Sequence, residues 1–191
     1  ALPIWAAFVT SGDVTNPLVS TADAAEPTLQ GMIDQANAGD TIKLSSNTEV
    51  HATLQITKNL TLDLNGCTLR MTGTGSVLKV HNGATLTITD SRPQNPHTGS
   101  YEGLPAGGVI TGGKGTDAGG SVHSVGGAVF LENGTTLNLE GGTLTGNSSR
   151  GSVFIDGAIF EMSGGTITGE TVGVRNNVGT FTMTGGRITG C

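Results

Sequence analysis

One hexapeptide constrains this chain more than any other feature of it. Gly-Gly-x-(Ile/Leu)-Thr-Gly occurs at Gly107–Gly112, Gly141–Gly146, Gly164–Gly169 and Gly185–Gly190, and a divergent copy runs Gly66-Cys67-Thr68-Leu69-Arg70. Just before the copies run short alternating segments: Leu62-Asp63-Leu64, Leu86-Thr87-Ile88, Leu137-Asn138-Leu139, Phe160-Glu161-Met162 and Phe181-Thr182-Met183. Apolar–polar–apolar is the period of a strand with one buried face. Their first apolar residues lie 24, 51, 23 and 21 residues apart. A further apolar segment closes each unit, at Val77–Val80, Val129–Leu131, Val153–Ile155 and Val172–Val174, followed by a glycine corner at Asn82-Gly83, Asn133-Gly134, Asp156-Gly157 or Val178-Gly179.

Three short strands in a unit of ~22 residues make one coil of a solenoid, and a coil buries its inward residues only by stacking on others. The reading is therefore all-β: a right-handed parallel β-helix of about five to six coils. An antiparallel β-sandwich is the alternative, but it gives no reason for the same apolar positions to recur at a fixed period. Stacking the coils predicts one buried column of Leu64, Ile88, Leu139, Met162 and Met183. Two outward columns follow, Asp63/Thr87/Asn138/Glu161/Thr182 and Asn65/Thr89/Glu140/Ser163/Thr184.

Residues 28–191 read as a single β-helix domain. Leu29, Met32, Ile33 and Ala36 form the stripe of a short amphipathic helix that Gly39 ends, a helical cap over 28–39. Asp40–Leu44 reads as the first strand, with His51–Lys58 completing an incomplete first coil. Residues 1–27 read as an arm of uncertain structure. The 51-residue spacing marks one coil swollen by loop insertions at about 91–106 and 113–124, and insertions in repeat proteins often form the binding face. The sequence stops after GGRITG with no closing segment, so a fragment of a longer protein is expected, or an end-to-end homodimer that covers Phe181, Met183 and Ile188. Cys67 and Cys191 sit four coil spacings apart, about 19 Å, which is too far for an intramolecular disulfide.

Composition removes several functions. The formal net charge is −6 and the nine Lys and Arg are scattered, so nucleic acid is not an expected partner. No apolar run reaches a membrane span, so no membrane insertion is expected. Gly108–Lys114 fits GxxxxGK, but Gly115 stands where a phosphate loop needs Ser or Thr. Asp117, His123 and Ser121 or Ser124 suggest a triad, yet no nucleophile elbow accompanies them.

The stretches Leu29–Ile33, Ala38–Ile42 and Lys58–Gly66 resemble the opening of pectate-lyase-like domains, in the form found in bacterial surface and adhesin proteins, and the likeness extends over about 28–191. The resemblance implies a secreted or cell-surface bacterial protein, and either of two activities: a polysaccharide lyase with an acidic calcium site and a basic proton abstractor, or a non-catalytic adhesion domain. Only Glu140 and Glu161 approach each other, on a diagonal of ~7 Å. They are the weak candidates for catalysis, by a lyase or a glycoside hydrolase acting on an acidic polysaccharide, and for calcium, which needs six to eight oxygens. No Arg or Lys lies in either outward column. The expected function is thus non-catalytic binding of a glycan or host surface protein, with no cofactor. The ligand-binding candidates are Arg92, His97, Tyr101, Glu102 and His123 on the insertions; a structural stalk is the third alternative.

Overall fold

The apolar–polar alternation becomes three stacks of short strands, because successive side chains of a strand point to opposite faces and only the apolar set can turn inward. In the computed structural model, which describes residues 8–10, 27–119, 123–147 and 149–191, the chain is a parallel β-solenoid of about six turns. β1 (Phe8–Thr10) and α1 (Leu29–Gln35) precede a first coil of β2 (Thr41–Lys43), β3 (Thr48–Val50) and β4 (Leu54–Ile56). The second coil is β5 (Leu60–Asp63), β6 (Thr68–Met71) and β7 (Leu78–Val80), and the third is β8 (Thr85–Thr89), β9 (Val109–Thr111) and β10 (Val129–Leu131). The fourth comprises β11 (Thr136–Leu139), β12 (Thr143–Thr145) and the start of β13 (Val153–Met162). The rest of β13, β14 (Thr166–Thr168) and the start of β15 (Val174–Met183) make the fifth, and the rest of β15 with β16 (Arg187–Thr189) opens a sixth. Each strand pairs in parallel with its equivalents in adjacent coils. β13 and β15 run straight through the corner between the third and first faces, so Asp156-Gly157 and Val178-Gly179 bend a continuous strand rather than end one.

The inward columns are Leu60/Leu86/Leu137/Phe160 and Leu62/Ile88/Leu139/Met162 on the first face, and Leu69/Ile110/Leu144/Ile167 on the second. All are buried. The register corrects the sequence reading in one coil: Ile88 pairs with Leu62, not Leu64. The shift is two residues, so the inward parity is unchanged; the 66–71 corner follows β5 two residues later than its equivalents follow theirs. It also places Asp63, expected on the outward face opposite Thr87, opposite Thr89 at the strand end, where its side chain is buried. Met183 pairs with Met162 as expected but is 43% exposed on the outermost coil.

The repeated hexapeptide has a steric reason. At Gly164 a Cβ would strike the Glu140 carbonyl of the coil below, and Gly165 turns the corner at φ +71°. Both positions exclude side chains. In the second coil the left-handed residue comes one position earlier, at Gly66 (φ +70°). That displacement lets Cys67 take the second position. Cys67 is buried, Cys191 exposed, and both thiols are free.

The N-terminal side of the stack is covered, which a sheet edge requires. β1 pairs antiparallel with β2, so part of the 1–27 arm is an edge strand; the rest of the arm lies outside the described residues. α1 is shorter than the expected 28–39 cap. Thr28 caps it by accepting the Gly31 N–H at 3.1 Å, and Leu29, Ile33 and Ala36 face the core. Gln30 does the edge chemistry: its Oε1 accepts the Gln55 N–H at 2.8 Å and its Nε2 donates to the Gln55 carbonyl at 3.2 Å. The carboxamide thus completes the hydrogen bonding of β4 as a neighbouring strand would. Lys58 Nζ donates to the carbonyls of Asp34 and Ala36 at 2.8 and 2.9 Å at the end of the helix. Gln30→Ala is expected to cost about 1–2 kcal/mol through the two orphaned backbone groups, read as a lower midpoint in urea. An unchanged midpoint would mean that the helix does not seal the edge.

Outside the main core, the Phe130 and Phe154 rings pack tilted at 50° with 5.2 Å between centroids on the outer side of the third face. The second insertion covers them with Val125 and Ala118. A continuous apolar run such as Val129-Phe130-Leu131 is the mark of a strand buried on both sides. No helix among the described residues is long and apolar enough to cross a membrane.

Candidate functional site

The swollen third coil carries both insertions, and the two are built differently. Between β8 and β9 the chain leaves the coil over 90–108, a little wider than the expected 91–106. It is pinned at its roots by carboxylates. Asp90 accepts N–H groups from Gly66 (2.7 Å), Gly108 (2.6 Å) and Arg92 (3.1 Å). Asp63 accepts those of Ser91 (2.9 Å) and Asn65 (2.8 Å) and lies 3.4 Å from Lys43 Nζ. Burial pushes the Asp63 carboxyl up, but its bonds to Ser91 and Asn65 and the Lys43 charge outweigh that and hold it below the usual aspartate range. Asn95 Nδ2 donates to the Gly66 carbonyl at 2.9 Å, tying the middle of the loop to the same corner.

Further along, the insertion folds back over the second face. His97 Nε2 is 2.7 Å from the Gly107 carbonyl and its Nδ1 is 3.4 Å from Thr68 Oγ1. With Nε2 donating to a carbonyl, Nδ1 is left as acceptor for the threonine hydroxyl. The Tyr101 ring lies under the Arg70 guanidinium, 4.4 Å from it, and its hydroxyl donates to Glu49 at 3.3 Å. Burial and the Glu49 charge raise the Tyr101 hydroxyl above its ordinary value. Arg70 also donates to the Ser100 carbonyl at 3.2 Å. So His97 and Tyr101, singled out from the sequence, are turned onto the coil and hold the loop in place. Arg92 and Glu102 stay exposed.

Between this loop and the corners of the first two coils runs a cleft of about 290 Å³. Its walls are Ser45, Ser46 and Asn47 from the first coil, Asn65 and Cys67 from the second, and Arg92 with Asn95–Thr98 from the insertion. A shallower depression of about 380 Å³ lies along the same loop at Arg92–Pro96. Carboxamides and hydroxyls dominate the cleft, groups that donate and accept at once. Asn47 and Asn95 each spend one side-chain atom on the scaffold, on the Thr68 N–H and the Gly66 carbonyl. The Arg92 guanidinium has no hydrogen-bond or ion-pair partner among the described residues. Burial pushes the Cys67 thiol up, which keeps it protonated.

The described residues of the second insertion, 112–119 and 123–128 against the expected 113–124, lie over the corner between the second and third faces. Thr116 bonds Val125 in both directions and takes the Ser76 N–H at 3.1 Å. Asp117 sits 3.2 Å from His123 Nδ1 and accepts the Ser124 N–H at 3.0 Å, and these bonds lower its carboxyl. Ser124 therefore meets Asp117 through its backbone rather than its hydroxyl, while Ser121 lies outside the described residues. Behind this corner Asn147 is fully buried, with Oδ1 on the Gly113 N–H at 3.0 Å and Nδ2 on the Ile110 and Thr145 carbonyls at 3.1 Å. The Asn147 N–H in turn reaches Glu170 at 3.0 Å.

Burial raises the Glu170 carboxyl above its ordinary value, against the two Asn147 bonds that lower it. A raised folded-state value means that protonated Glu170 favours the fold: the contribution is fully present below the ordinary glutamate range and is lost as pH rises through the raised value. Glu170→Gln keeps an acceptor for Asn147 and should flatten the pH dependence of the melting temperature across that window. A parallel pH profile for the variant would rule this out.

Glu140 and Glu161 are exposed on the first face, on neighbouring coils. Asn138 stands opposite Glu161, with Thr182 beyond it. Neither carboxylate has a hydrogen-bond or ion-pair partner among the described residues, and no group of three or more His, Cys, Asp or Glu gathers there in a way that could hold a metal ion.

Fold and loop geometry define a parallel β-solenoid that carries a pinned insertion beside a polar cleft. Compared with known proteins, the chain matches no family model, no curated protein and no solved structure.

Proposed function

We propose that this chain is a non-catalytic recognition domain of a secreted or cell-surface bacterial protein, of the pectate-lyase-like adhesion type, and that it binds a glycan in the cleft beneath the first insertion. The observation that carries the reading is the cleft itself: carboxamides and hydroxyls of the coil corners facing a loop that is already fixed to that coil. Such groups match the paired hydroxyls of a sugar, and a loop ordered beforehand adds little entropy cost on binding. Its thiol is protonated and its histidine committed at both nitrogens, so the groups that line it suit holding a ligand better than transforming one. Glu140 and Glu161, the candidates for lyase or hydrolase chemistry, stand apart on the first face as solvated acids.

The test is a glycan array probed with the chain and with Arg92→Ala and Asn47→Ala. Retention of particular glycans is expected, reduced about tenfold by either variant, the loss of roughly 1–1.5 kcal/mol per polar contact. Capture of host proteins instead of glycans would move the reading to a protein partner. Retention indifferent to both variants would remove the cleft from it.

A further inference from the structure

Asn-Gly occurs three times, at Asn65-Gly66, Asn82-Gly83 and Asn133-Gly134, each at a corner of the coil. Glycine leaves its amide nitrogen unshielded, so that nitrogen can reach the carboxamide carbon of the residue before it. The fold treats the three steps differently. Gly66 donates its N–H to Asp90 at 2.7 Å, and the Asn65 carboxamide is itself held by the Leu44 carbonyl (2.8 Å) and the Ser91 hydroxyl (3.2 Å). Gly134 donates its N–H to the Gly157 carbonyl of the next coil at 2.9 Å. At the third step, Asn82-Gly83, as at Asn133-Gly134, both residues are exposed and nothing lies within 4 Å of where a glycine side chain would stand; the two differ in the glycine N–H. Neither the Gly83 N–H nor the Asn82 carboxamide has a hydrogen-bond partner among the described residues.

We infer that Asn82 is a site of spontaneous main-chain modification, the one Asn-Gly step of the three that the fold leaves open to it. The Gly83 amide gives its proton to a solvent base and its nitrogen attacks Asn82 Cγ. The Cγ–Nδ2 bond breaks, ammonia leaves, and a five-membered succinimide remains. Water then opens the ring at either carbonyl to leave aspartate or isoaspartate. The balance is one water consumed and one ammonia released, with no change of oxidation state. A Gly N–H already donated to a carboxylate or a carbonyl keeps its proton and its position, which protects Asn65 and Asn133.

The consequence is local and structural. Asn82 (φ +58°) and Gly83 (φ +70°) form a two-residue turn closed by the Ala84 N–H on the His81 carbonyl at 3.2 Å. Left-handed conformations at both central residues are what such a turn requires. An isoaspartyl link adds a methylene to the main chain at that point, so the corner between β7 and β8 can no longer close in the same way, and either product adds a negative charge.

The folded chain is held at mildly alkaline pH, sampled over time, digested with trypsin and read by tandem mass spectrometry. The three steps fall in separate peptides, 59–70, 80–114 and 115–150, since Pro93 blocks cleavage after Arg92. Conversion at Asn82 is expected to run about tenfold faster than at Asn65 or Asn133, the factor that one retained hydrogen bond represents. In urea the three rates should converge. Equal rates in the folded chain, or an Asn82 slower than either of the others, would overturn the inference.

Discussion

Leu139→Asp should leave this chain unable to fold. Leu139 is fully buried at the middle of an inward column, between Ile88 and Met162. A carboxylate there meets only apolar neighbours, and an unpaired buried charge costs more than the ~5–15 kcal/mol by which a domain of this size is stable. Leu139→Ala is the milder companion, expected to lose about 3 kcal/mol to the cavity it leaves. Circular dichroism and urea titration measure both. An aspartate variant that melts like the parent would show the side chain facing solvent, and hence a register wrong by one residue throughout the coil.

Asp90→Ala is the second large effect, and a more local one. Three backbone N–H groups, from Gly66, Arg92 and Gly108, converge on that one carboxylate. Leaving them without an acceptor should cost about 2–4 kcal/mol in total, less whatever water recovers at the exposed edge. The distinguishing signature is where the loss appears. Hydrogen exchange should quicken across 90–108 and at Gly66 while β11, β12 and β13 keep their protection. Acid should act in the same direction through Asp63: its lowered value stabilises the fold above the ordinary aspartate range, and the contribution disappears as pH falls through the lowered value. Uniform loosening of every coil would mean that Asp90 supports the whole stack rather than the insertion.

What could be read in the sequence follows from what repeats. The solenoid and the buried inward positions from Ile88 to Met162 were legible because stacking imposes the same chemistry at the same spacing. The register slipped where that rule relaxes, between Leu62 and Leu64, since the second coil takes its corner two residues later and no local residue announces it. The insertions were visible as a break in spacing, and Arg92 as a residue of the first of them; the cleft that it borders has no signature in the sequence, because its other walls come from corners of two different coils. His97 and Tyr101 were legible as residues of the insertion, but their contacts were not: Thr68 and the Gly107 carbonyl for His97, Arg70 and Glu49 for Tyr101, are brought to them only by the stacking of the coils. The anchors Asp63 and Asp90 went unrecognised because an aspartate at a strand end reads equally well as a solvated turn residue. For Asp90 the signal was its placement immediately before an insertion, where the root of the loop has backbone groups to satisfy; Asp63 ends a strand of the preceding coil and carries no such signal. Phe130 and Phe154 were legible only as the middle residues of continuous apolar runs; that they face outward beneath the second insertion follows from the structure.

Recognition in the cleft between the first insertion and the coil is tested by mapping a bound glycan with nuclear magnetic resonance. The isotope-labelled chain would be titrated with the glycan best retained on the array. Shifts should concentrate at residues 45–47, 65–67 and 92–98, with the strands of the fourth and fifth coils unmoved. Shifts centred instead on Glu140 and Glu161, or on the second insertion around His123, would contradict it.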